Sequence, residues 1–174
     1  THFEEFKYFT GVKILQNNFF NGCSNLTKLE LPTSLTTINM GALSALGITS
    51  IFIPENVTKL NLDAFGYSKK LINIEVSPLN PMYFSQDGCV YVIDYSNSLY
   101  ALAPALTEYI MPDNVGAVYG DGDVVWKNGR SLKKVTLNHS VKNVSGRWFL
   151  YGFDDLMEIA GPEDHPDINF YNGC

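Results

Sequence analysis

A short run of apolar residues returns along this chain in fixed spacing, and that recurrence constrains the fold more than any other feature. Leu26, Leu29, Leu31, Pro32, Leu35 and Ile38 are followed by Ile48, Ile51, Ile53, Pro54, Val57 and Leu60, identically spaced. Leu71, Ile74 and Val76 open a third pass, and Leu106, Tyr109, Met111, Pro112, Val115 and Val118 form a fourth. The fifth reads Leu132, Val135, Leu137, Val141 and Val144, with Asn138 in the place of proline. A frayed copy leads at Phe3, Phe6, Tyr8, Phe9, Val12 and Leu15, and another closes at Leu156 and Ile159. The equivalent positions Leu31, Ile53, Val76, Met111 and Leu137 lie 22, 23, 35 and 26 residues apart, so one interval holds an insertion. Such self-similarity is the mark of a repeat architecture.

Within one copy, Leu29-Glu30-Leu31 alternates apolar and polar, as a strand with one buried face must. Pro32 lacks an N–H and fixes its own φ, so it bends the chain out of the ladder. Leu35-Thr36-Thr37-Ile38 supplies a second short stretch, and a pair of large or apolar residues precedes the next copy. That pair is Phe19-Phe20 before Leu26, Ala64-Phe65 before Leu71, Val125-Trp126 before Leu132 and Trp148-Phe149 before Leu156. Phe170-Tyr171-Asn172-Gly173-Cys174 nearly restates Phe19-Phe20-Asn21-Gly22-Cys23. One unit cannot bury its apolar side alone. Stacked units can, each covering its neighbour, with strands about 4.8 Å apart. The expected fold is therefore mainly β: a solenoid of about six to seven coils, with a parallel sheet on one face and short strands and turns on the other.

The pattern Ile48-x-x-Ile51-x-Ile53-Pro54-x-x-Val57-x-x-Leu60-x-x-x-Ala64-Phe65, with Ser68 and then Leu71, resembles the BspA-type (Treponema pallidum-type) leucine-rich repeat. Ser68 takes the family's cysteine position, which Cys23 holds in an earlier copy. Asn80-Pro81-Met82-Tyr83, Ser85-Gln86-Asp87-Gly88-Cys89-Val90-Tyr91 and Leu102-Ala103-Pro104 resemble that family's hairpin insertion, placing it at about residues 80–104. Independently of the resemblance, residues 89–93 and 99–103 alternate suitably to flank a turn at 94–98. The fifth copy departs from the pattern by an enlarged segment at 119–124, and residues 161–174 read as an irregular acidic cap or a broken repeat. The resemblance implies a bacterial cell-surface or secreted protein, binding a host matrix or bacterial surface protein in the manner of an adhesin, without catalysis.

Composition narrows the classes further. With 174 residues, 45% hydrophobic and 17% charged, the chain suits one domain, 1–174, with its own core. A formal net charge of −6 offers nothing to steer nucleic acid onto the surface. No apolar run reaches the roughly 18 residues of a membrane-spanning helix. The chain opens at Thr1 without a basic-then-apolar leader, which reads as a processed product or a fragment. The three cysteines sit in no zinc-like or redox spacing and read as small core residues. Neither G-x-S-x-G nor H-E-x-x-H occurs, and His2, His139 and His165 are scattered, so no enzyme is expected. Asp121-Gly122-Asp123 lacks the further ligands of a calcium loop, and Glu163-Asp164-His165 with Asp167 reads as a solvated acidic end. No metal or cofactor is expected. The sequons at Asn25, Asn56, Asn138 and Asn143 follow largely from the grammar of the repeat.

Solenoids bind through the outward residues of a strand-bearing face. Alternation makes these Glu5 and Lys7, Lys28 and Glu30, Ser50 and Phe52, Asn73 and Glu75, Glu108 and Ile110, Lys134 and Thr136, and Glu158 and Ala160. Phe52 and Ile110 break the polar rule. Together with Lys28, Glu30, Glu75 and Glu108 they form the candidate partner-binding patch. Two other readings stand beside it. One is a structural spacer of a longer surface protein with no ligand of its own. The other is a carbohydrate binder that uses Phe52 with the hairpin tyrosines Tyr91, Tyr95 or Tyr100.

Overall fold

Most of the apolar ladders become two short strands. The computed structural model describes residues 1–61, 63–94, 97–116, 131–139, 143–145, 157–161 and 169–171. Three successive turns open the chain: β1 (His2–Phe3) with β2 (Ile14–Leu15), β3 (Lys28–Leu29) with β4 (Thr37–Ile38), and β5 (Ser50–Ile53) with β6 (Lys59–Leu60). β7 (Asn73–Val76) follows as a further first strand, and then come β8 (Tyr83–Gln86), β9 (Cys89–Val92) and β10 (Leu99–Ala101). β11 (Glu108–Ile110) resumes the repeats, continued by β12 (Lys134–Thr136) with β13 (Asn143–Ser145) and β14 (Glu158–Ala160) with β15 (Asn169–Tyr171). Among the described residues five turns thus carry both strands, against the six to seven coils expected, and β7 and β11 stand as half turns beside the insertion.

First strands stack in parallel as β1–β3, β5–β7 and β11–β12–β14, and second strands as β2–β4–β6 and β13–β15. The register is one repeat, so Ile51 lies opposite Ile74, Ile38 opposite Leu60 and Val135 opposite Ile159. Like residues therefore form columns, which is why the ladder spacing is kept. Each proline begins the bend between the two strands. Its carbonyl accepts the N–H three residues on, from Leu35 to Pro32 (3.1 Å), Val57 to Pro54 (3.2 Å) and Val115 to Pro112 (3.0 Å). Ser77 does the same for Asn80 at 2.9 Å, so the bend survives where proline is absent.

The first copy departs from the expected register. Phe6-Lys7-Tyr8 is not a strand, and Glu5 and Lys7 are not its outward residues. Glu4–Tyr8 is a 3-10 helix, and β1 pairs His2 with Lys28 and Phe3 with Leu29. By Leu15, opposite Ile38, the ladder spacing is restored, so the helix absorbs three surplus residues. Side chains three apart eclipse in a 3-10 helix. Phe6 accordingly lies between Phe3 and Phe9, with ring centroids 5.2 and 5.6 Å away, and is buried by them.

The core has two parts. One runs through the first turns from Phe6 to Val76 and ends on Tyr83, Val90, Val92, Tyr100, Ala101 and Ala103. The other begins with Cys89, Tyr91, Leu99 and Leu102 and continues through Tyr109 and Met111 to Leu137. Between them stands the insertion, an antiparallel sheet in the order β10–β9–β8. The hairpin expected between 89–93 and 99–103 is present and gains a third strand. It is a wall across the solenoid, because β9 is buried at all four positions: Val90 and Val92 face one core, Cys89 and Tyr91 the other. Asp87 and Gly88 turn β8 into β9 with φ of 52° and 78°, the left-handed pair of a tight hairpin. Gly88 is required twice over, since a Cβ there would meet the Ile72 carbonyl oxygen at 2.5 Å.

Cys23 corrects another expectation, for it is exposed rather than in the core. Its counterpart Ser68 is buried, donating to the Leu43 carbonyl at 3.0 Å and accepting from the Leu46 N–H at 3.1 Å. Ser68 lies within a stack with turns on both sides, whereas Cys23 belongs to the first turn and is covered from one side. The segment 119–124, the pairs Val125-Trp126 and Trp148-Phe149, the acidic stretch 163–167 and Cys174 lie outside the described residues.

Candidate protein-binding face

Alternation along the first strands sorts the candidate residues outward. In β5, Ser50 and Phe52 are exposed while Ile51 and Ile53 are buried, and β11 exposes Glu108 and Ile110 around buried Tyr109. Lys28, Glu30, Phe52, Glu75, Glu108 and Ile110 are all exposed. Phe52 is 48% and Ile110 65% accessible, large values for apolar side chains on an ordered strand.

These residues lie on three separate ladders, Lys28 and Glu30 at β3, Phe52 and Glu75 on β5–β7, and Glu108 and Ile110 on β11, not in the one patch expected. Phe52 lies opposite Glu75 on β7, whereas Glu108 lies opposite Lys134 and Ile110 opposite Thr136. No ladder joins β7 to β11. The hairpin tip occupies the interval instead. Gly88 accepts the Ile74 N–H at 3.1 Å, and the Ser85 hydroxyl accepts the Val76 N–H at 2.8 Å.

Most of the charges are already engaged. Lys7 reaches Glu30 at 2.7 Å, and this hydrogen bond raises the lysine pKa. Lys28 lies 3.7 Å from Glu4. The Asn73 amide donates to Glu75 at 2.6 Å. Lys134 is held by Glu158 at 2.7 Å, and its pKa is likewise raised by that bond. Such exposed pairs fix local geometry more than they stabilise the fold. The features of the face that these contacts leave uncommitted are Glu108 and the apolar Phe52 and Ile110.

The described hairpin tyrosines, Tyr91 and Tyr100, do not face solvent as the carbohydrate reading requires. Tyr91 is fully buried, stacked on Phe84 with ring centroids 5.0 Å apart, its hydroxyl 3.4 Å from that of Tyr109. Tyr100 is buried beside Tyr83 and donates its hydroxyl to the Leu60 carbonyl. Tyr95 lies outside the described residues. Burial pushes the hydroxyl pKa of both Tyr91 and Tyr109 upward, and pushes the Cys89 thiol up to about 12. A group held this firmly in its neutral form is a packing residue rather than a nucleophile. Among the described residues no three His, Cys, Asp or Glu side chains meet where a metal could bind, and no helix is long and apolar enough to cross a membrane.

Two further features escaped the sequence reading. Asn80 and Asn138 are buried, and each donates its amide to two carbonyls of the turn before it. Asn80 reaches Pro54 (3.1 Å) and Val57 (2.9 Å), and Asn138 reaches Pro112 and Val115, the latter at 2.7 Å. An asparagine at a repeat position otherwise given to Pro or Val was the available signal. The second feature is a groove of about 720 Å³ where Gln86 and Asp87 of the hairpin tip approach Glu108–Asn114. Nothing in the linear pattern places these segments together.

Residues 1–91 match the family described as BspA type leucine rich repeat region, in six copies. The chain belongs to the BspA-type leucine-rich-repeat family. Among solved structures, this BspA-type chain is similar to the pneumococcal vaccine antigen PcpA, with a TM-score of 0.67 and 21% identity over 87% of this chain and 37% of that one. It therefore spans little more than a third of PcpA, and the likeness is one of fold. A leucine-rich repeat protein from Eubacterium ventriosum aligns with a TM-score of 0.49 and 19% identity over 77% of this chain and 48% of that one. A leucine rich cell surface protein from Faecalibacterium prausnitzii aligns with a TM-score of 0.49 and 16% identity over 99% and 66%. No curated protein matches the BspA-type chain in sequence.

Proposed function

We propose that this chain is a non-catalytic, adhesin-like protein-binding module of a bacterial cell-surface or secreted protein, presenting its first-strand face to a host or bacterial protein. The observation that carries this reading is the exposure of Phe52 and Ile110 at outward strand positions, among side chains that are otherwise charged or small. Both are held on hydrogen-bonded strands, so a partner meets a face already in its bound shape and little ordering entropy is lost. Family membership supports the reading, since leucine-rich repeats of this kind are generally non-catalytic. PcpA, whose fold is similar, is a vaccine antigen, in keeping with an exposed location.

The test is a binding screen of the immobilised chain against purified host matrix proteins and mucin, with Phe52→Lys and Ile110→Lys as separate variants of unchanged melting temperature. The expected result is a partner whose binding one of the two variants abolishes, which also tells which patch is used. Binding that survives both variants would move the site off this face. Silence across the panel would favour a spacer that joins other domains.

A further inference from the structure

Among the described residues, β11 has one edge without a neighbour. On its other edge the ladder to β12 is made by Lys134 N–H to Thr107 (3.3 Å) and Met111 N–H to Thr136 (2.8 Å). Alternate residues of a parallel strand address opposite edges. The N–H and C=O groups of Glu108 and Ile110 therefore point away from β12, and no backbone or side-chain group among the described residues pairs with them. The facing edge of β7 is closed, because Gly88 and Ser85 of the hairpin take the Ile74 and Val76 N–H groups. The hairpin tip thus seals one strand and leaves the other open.

The open edge forms one wall of the groove described above. Its rim carries Asp87, Glu108 and Asp113, with Ile110 exposed among them, and no lysine or arginine among the described lining residues. The neighbouring cation, Lys134, is committed to Glu158. An unpaired strand edge recruits extended chain, and a rim of one charge selects the opposite one.

We infer that this groove takes an extended, basic segment of a partner protein as an added strand on β11. Its main chain bonds Glu108 and Ile110, its lysine or arginine side chains lie against Asp87, Glu108 and Asp113, and an apolar residue covers Ile110. The inference rests on the reading of the first-strand face as protein-binding and narrows it to the half beyond the hairpin.

The experiment pans a random dodecapeptide phage library on the whole chain and measures fluorescein-labelled synthetic winners by anisotropy. Winners should carry Lys or Arg at alternating positions with β-branched or aromatic residues between them. Asp87→Lys and Asp113→Lys should each weaken binding about tenfold. Ile110→Pro should do the same, since it deletes an N–H that the fold itself does not use. N-methylation of alternate peptide amides should abolish binding, and this test involves no change to the protein. Neutral or acidic winners, or winners indifferent to both Ile110→Pro and N-methylation, would overturn the inference. Winners lost on Phe52→Lys alone would overturn it while leaving the protein-binding reading intact. A library without enrichment would also overturn it, and the matrix-protein screen would then decide the broader reading by itself.

Discussion

The first three turns and the inserted sheet solve the problem of burial in opposite ways. In the turns each first strand buries one face, and like packs upon like: Ile51 beside Ile74, Ile53 beside Val76. In the wall every residue of β9 and β10 is buried, and unlike partners meet, Tyr83 with Tyr100 and Phe84 with Tyr91. A column of equivalents tolerates modest exchange, because its neighbours can shift together along the stack. A two-sided wall has no such freedom, since each of its side chains is fixed between unlike partners on its own side, Val90 and Val92 in one core and Cys89 and Tyr91 in the other. The difference teaches that the insertion is structural rather than ornamental.

The sharpest way to break that comparison is to hollow out each region in turn. Tyr91→Ala in the wall and Phe65→Ala in the third turn should each cost about 3–5 kcal/mol, read from denaturant melts. Their patterns should differ. Hydrogen exchange should show Tyr91→Ala loosening Tyr109, Val135 and Leu137 while Ile51 and Ile74 stay protected, and Phe65→Ala doing the reverse. Equal loss throughout in both variants would make the two cores one cooperative unit and sink the distinction.

The asparagines give a smaller test of the same boundary. Asn80→Ala and Asn138→Ala each remove the donor to two buried carbonyls of the preceding turn, and each should lower stability by about 1–3 kcal/mol. Asn80 lies on the near side of the wall and Asn138 beyond it. The double variant should therefore be additive in melts; strong coupling would mean that strain passes through the sheet.

Alkaline pH provides the mildest probe. The folded chain holds the Cys89 proton more tightly than the unfolded chain does, moving the thiol from 9.0 up to about 12. Its contribution is thus complete below pH 9.0 and is lost as pH rises towards about 12. One group can tilt stability by at most about 1.4 kcal/mol per pH unit. Tyr91 and Tyr109, raised from 10.0, act in the same direction at higher pH. Urea melts across this range should show the decline, and Cys89→Ala should remove its first part. A Cys89→Ala profile identical to that of the parent would place the titration elsewhere.

Much of this was legible in the linear pattern. Alternation in Ser50-Ile51-Phe52-Ile53 and Glu108-Tyr109-Ile110 separated buried from exposed residues, and residues 89–93 and 99–103 marked a hairpin, which β9 and β10 form. The first copy misled because Phe3, Phe6 and Phe9 fit a spacing of three as well as a strand ladder, and packing of their rings decided in favour of the 3-10 helix. The wall was under-read for a different reason. Cys89-Val90-Tyr91-Val92 lacks the polar half of an alternation, which is the mark of a strand covered on both sides. That Phe52 and Glu75 are parted from Glu108 and Ile110 could not be read at all, because the hairpin tip reaches the edge of β7 only through the folded path of the chain.

The wall has one more consequence. In an uninterrupted stack every repeat inherits its position from the one before, so an error of register travels along the whole length. A transverse sheet acts as a bulkhead. β11 packs on Tyr91 and Leu99 and shares no ladder with β7, so beyond one bond from the Ala105 N–H to the Leu71 carbonyl (2.9 Å) its alignment is taken from the insertion rather than from the strand before it.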